Sequence, residues 1–198
     1  MLKSTESIYT PESYLKALEF WSENQTSSSG KENPEYVRFT KLNLARTRRI
    51  HQNLIIKVDL KRWIINLMKP LSWVILTESW CGDSAQNLPL ILDLAALNPQ
   101  YIDVQIFLRD QNLDLMEHYL THGTRSIPKM IVRDNHSLED LFIWGPRPLP
   151  AQKILENWKS TEPRRSWDEF EHDLHAWYAK DKTQTLQDEL FLKFQDFV

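Results

Sequence analysis

Cys81 is the single cysteine of the 198-residue chain, so any thiol chemistry must begin there. Its surroundings read Trp80-Cys81-Gly82-Asp83-Ser84. A cysteine attacks as its thiolate, and the unpaired amides of a helix N-terminus favour that anion. Ser84 adds a hydroxyl that can donate a hydrogen bond to such a sulfur. Asp83 works in the opposite sense: a carboxylate near the sulfur disfavours a second negative charge, although it suits the first turn of a helix. The competing reading of Cys81 is a small buried hydrophobe without chemistry.

The flanking segments place this cysteine at a junction. Trp73-Val74-Ile75-Leu76-Thr77 has the aromatic and β-branched make-up of a short buried strand. From Ser84 to Leu97, Leu88, Ile91, Leu92, Ala95 and Ala96 recur at helical spacing, so Cys81 is expected at the helix start. Ile102–Leu108 reads as a second strand and Asn112–Leu120 as a crossover helix carrying Leu113, Met116 and Leu120. Strand, helix and strand in that order predict parallel pairing. Ser126-Ile127-Pro128 opens a strand over Lys129–Arg133, and Leu141–Trp144 forms another that ends at Gly145. Asp134-Asn135 between them is turn chemistry and predicts an antiparallel hairpin.

The motif resembles the Trp-Cys-Gly-Pro-Cys redox sequence of thioredoxins, which lies on the same strand-to-helix junction. Three further residues agree in order. Pro89 follows Cys81 by eight positions, as a helix-kinking proline does in that family. Pro128 stands 47 residues beyond Cys81, where the family has a cis-proline facing the sulfur. Gly145 matches the glycine that completes the substrate groove. The resemblance implies an α/β thioredoxin fold, a mixed central sheet flanked by helices, over about residues 70–160. Residues 1–69 and 161–198 are expected to add helices to it, the whole forming one compact unit. Stretches such as Tyr178-Ala179-Lys180-Asp181-Lys182-Thr183 are also similar to a bacterial thioredoxin-like family.

The added segments carry their own signals. Thr10-Pro11-Glu12-Ser13 caps a helix to Gln25 with Tyr14, Leu15, Leu18 and Trp21 on one stripe. Thr26–Asn33, with three serines and Gly30, reads as a mobile loop and the best linker of the chain. Pro34–His51 and Asp59–Met68 are expected as helices, with Val37, Leu44, Ile50, Leu60, Trp63, Ile64 and Leu67 buried. Ala151–Trp158 closes the core. Ser166-Trp167-Asp168-Glu169 is a capping box for a helix that turns Trp167, Phe170, Leu174 and Trp177 to one side, and a last helix runs from Thr185 through Leu186, Leu190 and Phe194.

For the site, the resemblance implies Cys81 as nucleophile, Ser84 as its hydrogen-bond partner, and Trp80, Gly82, Asp83, Ile127, Pro128, Trp144 and Gly145 as the substrate-docking surface. Thioredoxins resolve a mixed disulfide with a second thiol three residues on. Ser84 holds that place here and cannot form a disulfide. The expected chemistry is therefore monothiol exchange with protein or small-thiol disulfides, completed by an external thiol such as glutathione or thioredoxin. The family's buried aspartate is missing from Trp73–Thr77, and Glu78, the nearest carboxylate, is read as an exposed one. A redox-silent binding module, holding an extended peptide beside Pro128, is the rival. The similarity of Cys-Gly-Asp-Ser to the Cys-Gly-Phe-Ser of monothiol glutaredoxins suggests an iron-sulfur site more weakly, because the glutathione-binding Gly-Gly and Cys-Asp of that family are absent after Pro128.

Other classes find little support. No cofactor is expected. Asp114, His118 and His122, four apart, read as a solvated helix face, since a closed zinc site needs a further ligand; His172 and His175 read likewise. With four glycines there is no phosphate-cradling loop, and no nucleophile elbow supports a hydrolase. A formal charge of −3 exerts no global pull on nucleic acid or membrane. Between Arg38 and Arg62 eight Lys or Arg face one acid, Asp59, which reads as a solvated basic face. A lone cysteine and the lack of a signal-like or membrane-spanning apolar run place the chain, as an expectation, in the cytoplasm. Oligomeric state is left open.

Overall fold

The structure is a computed structural model that describes residues 8–196. Its sheet has four strands in the order β2-β1-β3-β4: β1 Leu71–Thr77, β2 Ile102–Leu108, β3 Lys129–Asp134 and β4 Asp140–Trp144. β1 pairs in parallel with β2, from Leu71 opposite Ile102 to Thr77 opposite Leu108. The connection is α4, Gly82–Ala96. β3 runs antiparallel to β1, and β4 antiparallel to β3 with an irregularity at Val132/Arg133. This is the mixed α/β sheet of the thioredoxin class, with helices added before and after it. The central strand β1 buries every residue except Ser72, as a strand covered on both faces must.

Successive residues of a strand point to opposite faces. Val74 and Leu76 lie in a cluster with Cys81, Met116, Tyr119, Ile127 and Ile131. Thr77, turned the other way, bonds to Ser84 of α4. α4 is buried almost all round, as befits a helix sandwiched between layers. On it packs α2, Pro34–Asn53, and on α2 packs α1, Pro11–Glu23. α1 starts with a capping box between Thr10 and Ser13, and its inward stripe is Tyr14 and Leu18. α2 departs from the expected apolar stripe. Beside Leu44, its fully buried positions are Thr40, Asn43 and Thr47, while Val37 and Ile50 are only partly covered. α3 is shorter than expected, Val58–Ile65, with Leu60 and Ile64 inward.

The residues before α1 also join the sheet. Tyr9 exchanges two backbone hydrogen bonds with Ile106, at 2.9 and 2.8 Å, and so covers part of the outer edge of β2. The crossover helix expected over Asn112–Leu120 shrinks to α5, Leu113–Glu117, after a 3-10 turn at Arg109–Gln111. A tight Thr121–Thr124 turn, with His122 and Gly123 at positive φ, stops any continuation. Asp114, His118 and His122 therefore share no helix face, and among the described residues no three His, Cys, Asp or Glu are grouped as metal ligands.

The chain divides into two compact units, with the boundary between Pro146 and Arg147. The second holds α6 Leu149–Ser160, α7 Trp167–Asp181 and α8 Gln184–Gln195. The Ser166–Glu169 capping box is formed. Ala151 packs with Phe170, Leu174 and Tyr178, and Trp158 lies against Trp167 and Phe170. Tyr178, rather than Trp177, completes the buried stripe of α7, and Trp167 is half exposed. No described helix is long and apolar enough to cross a membrane.

Candidate functional site

Cys81 is the N-cap of α4. Its Sγ accepts from the Ser84 amide at 3.4 Å and donates to the Ile127 carbonyl at 3.5 Å. The two contacts act on opposite forms of the group: the amide stabilises a thiolate, whereas the carbonyl needs the S–H proton. The Ile127-Pro128 peptide is cis and lies directly beside the sulfur. Cys81 itself is 8% exposed. Ser84 is buried, and its hydroxyl accepts from Thr77 Oγ1 at 2.7 Å. Gly82 and Asp83 form the first turn, Asp83 buried and its carbonyl bound by the Asn87 side chain.

The groove side of the site needs a glycine. Gly145 has φ of +114°, and a Cβ there would collide with the Pro128 carbonyl oxygen. The Gly145 carbonyl accepts from Lys129 Nζ at 3.2 Å. That lysine is itself buried, which pushes its pKa down. Trp144, expected as part of the docking surface, is 4% exposed and stands opposite Met130 in the ladder.

The larger correction concerns Glu78. Expected to be exposed, it is fully buried at the end of β1. Burial raises its pKa, and the nearby charge of Asp110 adds to that; the Asp110 amide, the Ser28 hydroxyl and Arg109 pull the other way. Its Oε2 accepts from the Ser28 hydroxyl, and its Oε1 from the Asp110 amide at 2.8 Å. A buried carboxylate persists only with such donors.

The Ser28 donor comes from the segment read as a linker. Ser27 and Gly30 exchange backbone bonds of 3.0 and 3.1 Å, which folds Thr26–Asn33 into a tight turn. Ser28 and Ser79 are bonded reciprocally, amide to hydroxyl, at 2.9 and 3.0 Å. Ser79 is also held by Thr40 through its hydroxyl at 2.8 Å and by Asn43 through its carbonyl at 2.9 Å. The indole N–H of Trp80 donates to Ser29 Oγ at 2.9 Å. Its ring stacks on Tyr36 with centroids 4.2 Å apart and planes within 9°, and the Arg109 guanidinium sits 4.9 Å from its centroid. Every residue from Glu78 to Trp80 is thus fixed by residues of the N-terminal extension. The usable signal was the buried polar spacing Thr40, Asn43, Thr47 along α2; the serines alone look like any flexible loop.

A family model described as thioredoxin matches residues 30–159. No curated protein matches the chain. Among solved structures, a protein of unknown function from Pseudomonas aeruginosa is similar, at 16% identity and a TM-score of 0.59, over 90% of this chain and 96% of that one. An HIV epitope scaffold is similar at 15% identity and a TM-score of 0.59, over 91% of this chain and 98% of the other. Likeness at such identities speaks for the fold alone.

Proposed function

The chain belongs to the thioredoxin family, and from that premise we propose that it carries out monothiol exchange at Cys81. The Cys81 thiolate attacks one sulfur of a substrate disulfide; a new S–S bond forms, the old one breaks, and the departing thiolate takes up a proton. The product is a mixed disulfide between Cys81 and the substrate. Ser84 cannot displace it, so a second, external thiolate, that of glutathione or of another protein, must attack to regenerate Cys81. Trp80, Gly82, Asp83, Ile127, Pro128 and Gly145 form the proposed docking edge, and a reducing cytoplasm would supply the external thiol.

One observation carries this reading: the single thiol sulfur lies between the Ser84 amide in the first turn of α4 and the carbonyl preceding Pro128. There an extended substrate passing the proline would present its sulfur. Incubating the protein with glutathione disulfide and weighing it by mass spectrometry tests the proposal. One dithiothreitol-reversible adduct on Cys81, absent in Cys81→Ala, is expected. No adduct on the folded chain, with ready modification after denaturation, would refute it. That second outcome would favour a peptide-binding module, a reading supported by the small exposure of Cys81.

A further inference from the structure

Cys81 is enclosed by a cluster of buried side chains against which Trp80 packs. Trp80, half-buried and next to Cys81 in the chain, is one of the side chains packed on that cluster, so whatever fixes Trp80 bears on how a substrate sulfur reaches the thiol. Ser29 is well built for this. Its hydroxyl accepts the indole N–H at 2.9 Å and donates to Asp110 Oδ2 at 2.8 Å, with Glu78 Oε2 at 3.4 Å. The turn carrying it is closed by the Ser27–Gly30 bridge and is anchored to the buried Glu78 through the Ser28 hydroxyl. Asp110 in turn holds Arg109, whose guanidinium lies over the same indole. The loop read from sequence as a linker is therefore a support for the site, reaching it from 51 residues away.

We infer that Ser29, held by Glu78 and Asp110, is the positioning residue that fixes Trp80 against the cluster enclosing Cys81 and thereby sets how readily a substrate sulfur reaches the thiol. This rests on the thiol reading of Cys81. Ser29 touches no reacting atom. Its effect is on access: the amide and carbonyl contacts of the sulfur do not involve it, so loosening Trp80 changes the rate of modification without altering what stabilises the thiolate.

The test uses the full chain with Ser29→Ala, and Ser28→Ala as a second route to the same support. Solvent exchange of the Trp80 indole proton, assigned by NMR with the help of Trp80→Phe, reports the latch itself. Cys81 modification by iodoacetamide and by a bulky maleimide, followed across pH, reports access. Loss of one net hydrogen bond corresponds to about a five-fold change. Ser29→Ala is expected to speed indole exchange by about that factor and to speed alkylation, more for the maleimide than for iodoacetamide, with an unmoved pH inflection. Ser72→Ala, whose hydroxyl bonds Asn135 at the far end of β1, should change neither.

Faster indole exchange with unchanged alkylation would overturn the proposal, because Ser29 would then be structural only. Unchanged exchange in both serine variants would overturn it too. A moved pH inflection would also do so, by showing an effect on the thiolate rather than on access. Should the wild-type chain form no adduct with glutathione disulfide while Ser29→Ala still exposes Cys81 to both alkylating agents, the positioning role stands and the exchange reading fails.

Discussion

Gly145→Ala provides the most direct measure of how tightly the groove side of the site is built. Gly145 has φ of +114°, in the region open to glycine and strained for any other residue. Holding an alanine there costs about 1–3 kcal/mol. Its Cβ would also overlap the Pro128 carbonyl oxygen and lie 3.2 Å from the Pro128 carbonyl carbon and 3.4 Å from Lys129 Cα. These are backbone atoms of a buried strand start, with no flexible end to swing aside, and overpacking of this kind costs about another 1–3 kcal/mol. A loss of about 2–6 kcal/mol is expected, a large share of the roughly 5–15 kcal/mol of a whole domain. With a urea m-value of about 2 kcal/mol/M, the midpoint of the unit ending at Pro146 should fall by about 1–3 M. Gly123→Ala is the internal control. Its φ is +75°, but a Cβ there meets nothing within 4 Å, so only the conformational cost of about 1 kcal/mol applies. Urea unfolding followed by circular dichroism gives both numbers. If the two variants lose the same stability, close approach of Gly145 to Pro128 is not what selects glycine, and the reasoning fails.

Glu78 supplies a pH signature. Its folded-state pKa is raised, so the folded chain binds that proton more tightly than the unfolded chain; stability from this group is full below about 4.5 and declines as pH rises through the raised value. Relative to Glu78→Gln, the wild type should therefore lose stability over that window and run parallel to it above, as urea midpoints at a series of pH values will report. Asp134 has the opposite sign: Lys69 and the His136 and Ser137 amides lower its pKa to about 2, so its contribution is present above about 4 and fades as pH falls toward 2. The stability gap between wild type and Asp134→Asn, measured by thermal unfolding, should close on acidification; a gap that persists at pH 2 would contradict the assignment. For the proposed exchange, insulin reduction with dithiothreitol should be slow in the wild type and quicken in Ser84→Cys, since Ser84 begins three residues after Cys81 with its amide 3.4 Å from the sulfur. A wild type that already matches a two-cysteine thioredoxin would end the monothiol account.

Much of this molecule was legible in the chain because the signals are local. The strand at Ile102–Leu108 is observed with the same bounds, since its alternation survives in the burial pattern. Cys81 caps α4, and the Ile127-Pro128 bond beside it is cis, as the resemblance implied. What sequence could not give was set by distant partners. Glu78 looks like any exposed acid at the end of a strand; only the arrival of Ser28 and the Asp110 amide allows it to be buried. Trp144 looks like a groove aromatic, and only the β3–β4 ladder shows it paired opposite Met130 and largely buried. The helix expected at Asn112–Leu120 had a plausible apolar stripe, yet it ends at Glu117 and the chain goes on to a tight turn at Thr121–Thr124. Helical spacing of apolar residues likewise missed the polar inward stripe of α2, whose burial is justified by Ser79.

The Ser28–Ser79 bonds close a loop of 51 residues, and Tyr9 must find Ile106 across a still longer one. Contacts of such separation are slow to form, because closure entropy is spent before any of them is made. During synthesis the serine turn and α2 emerge first and must wait for β1 and β2 to leave the ribosome before their inward hydroxyls and amides find partners. Cys81 emerges in the same interval, on a chain whose shield is not yet assembled. Its sulfur is thus most open to stray oxidation while the protein is being made, until the later segments carrying Met116, Tyr119, Ile127 and Ile131 pack around it.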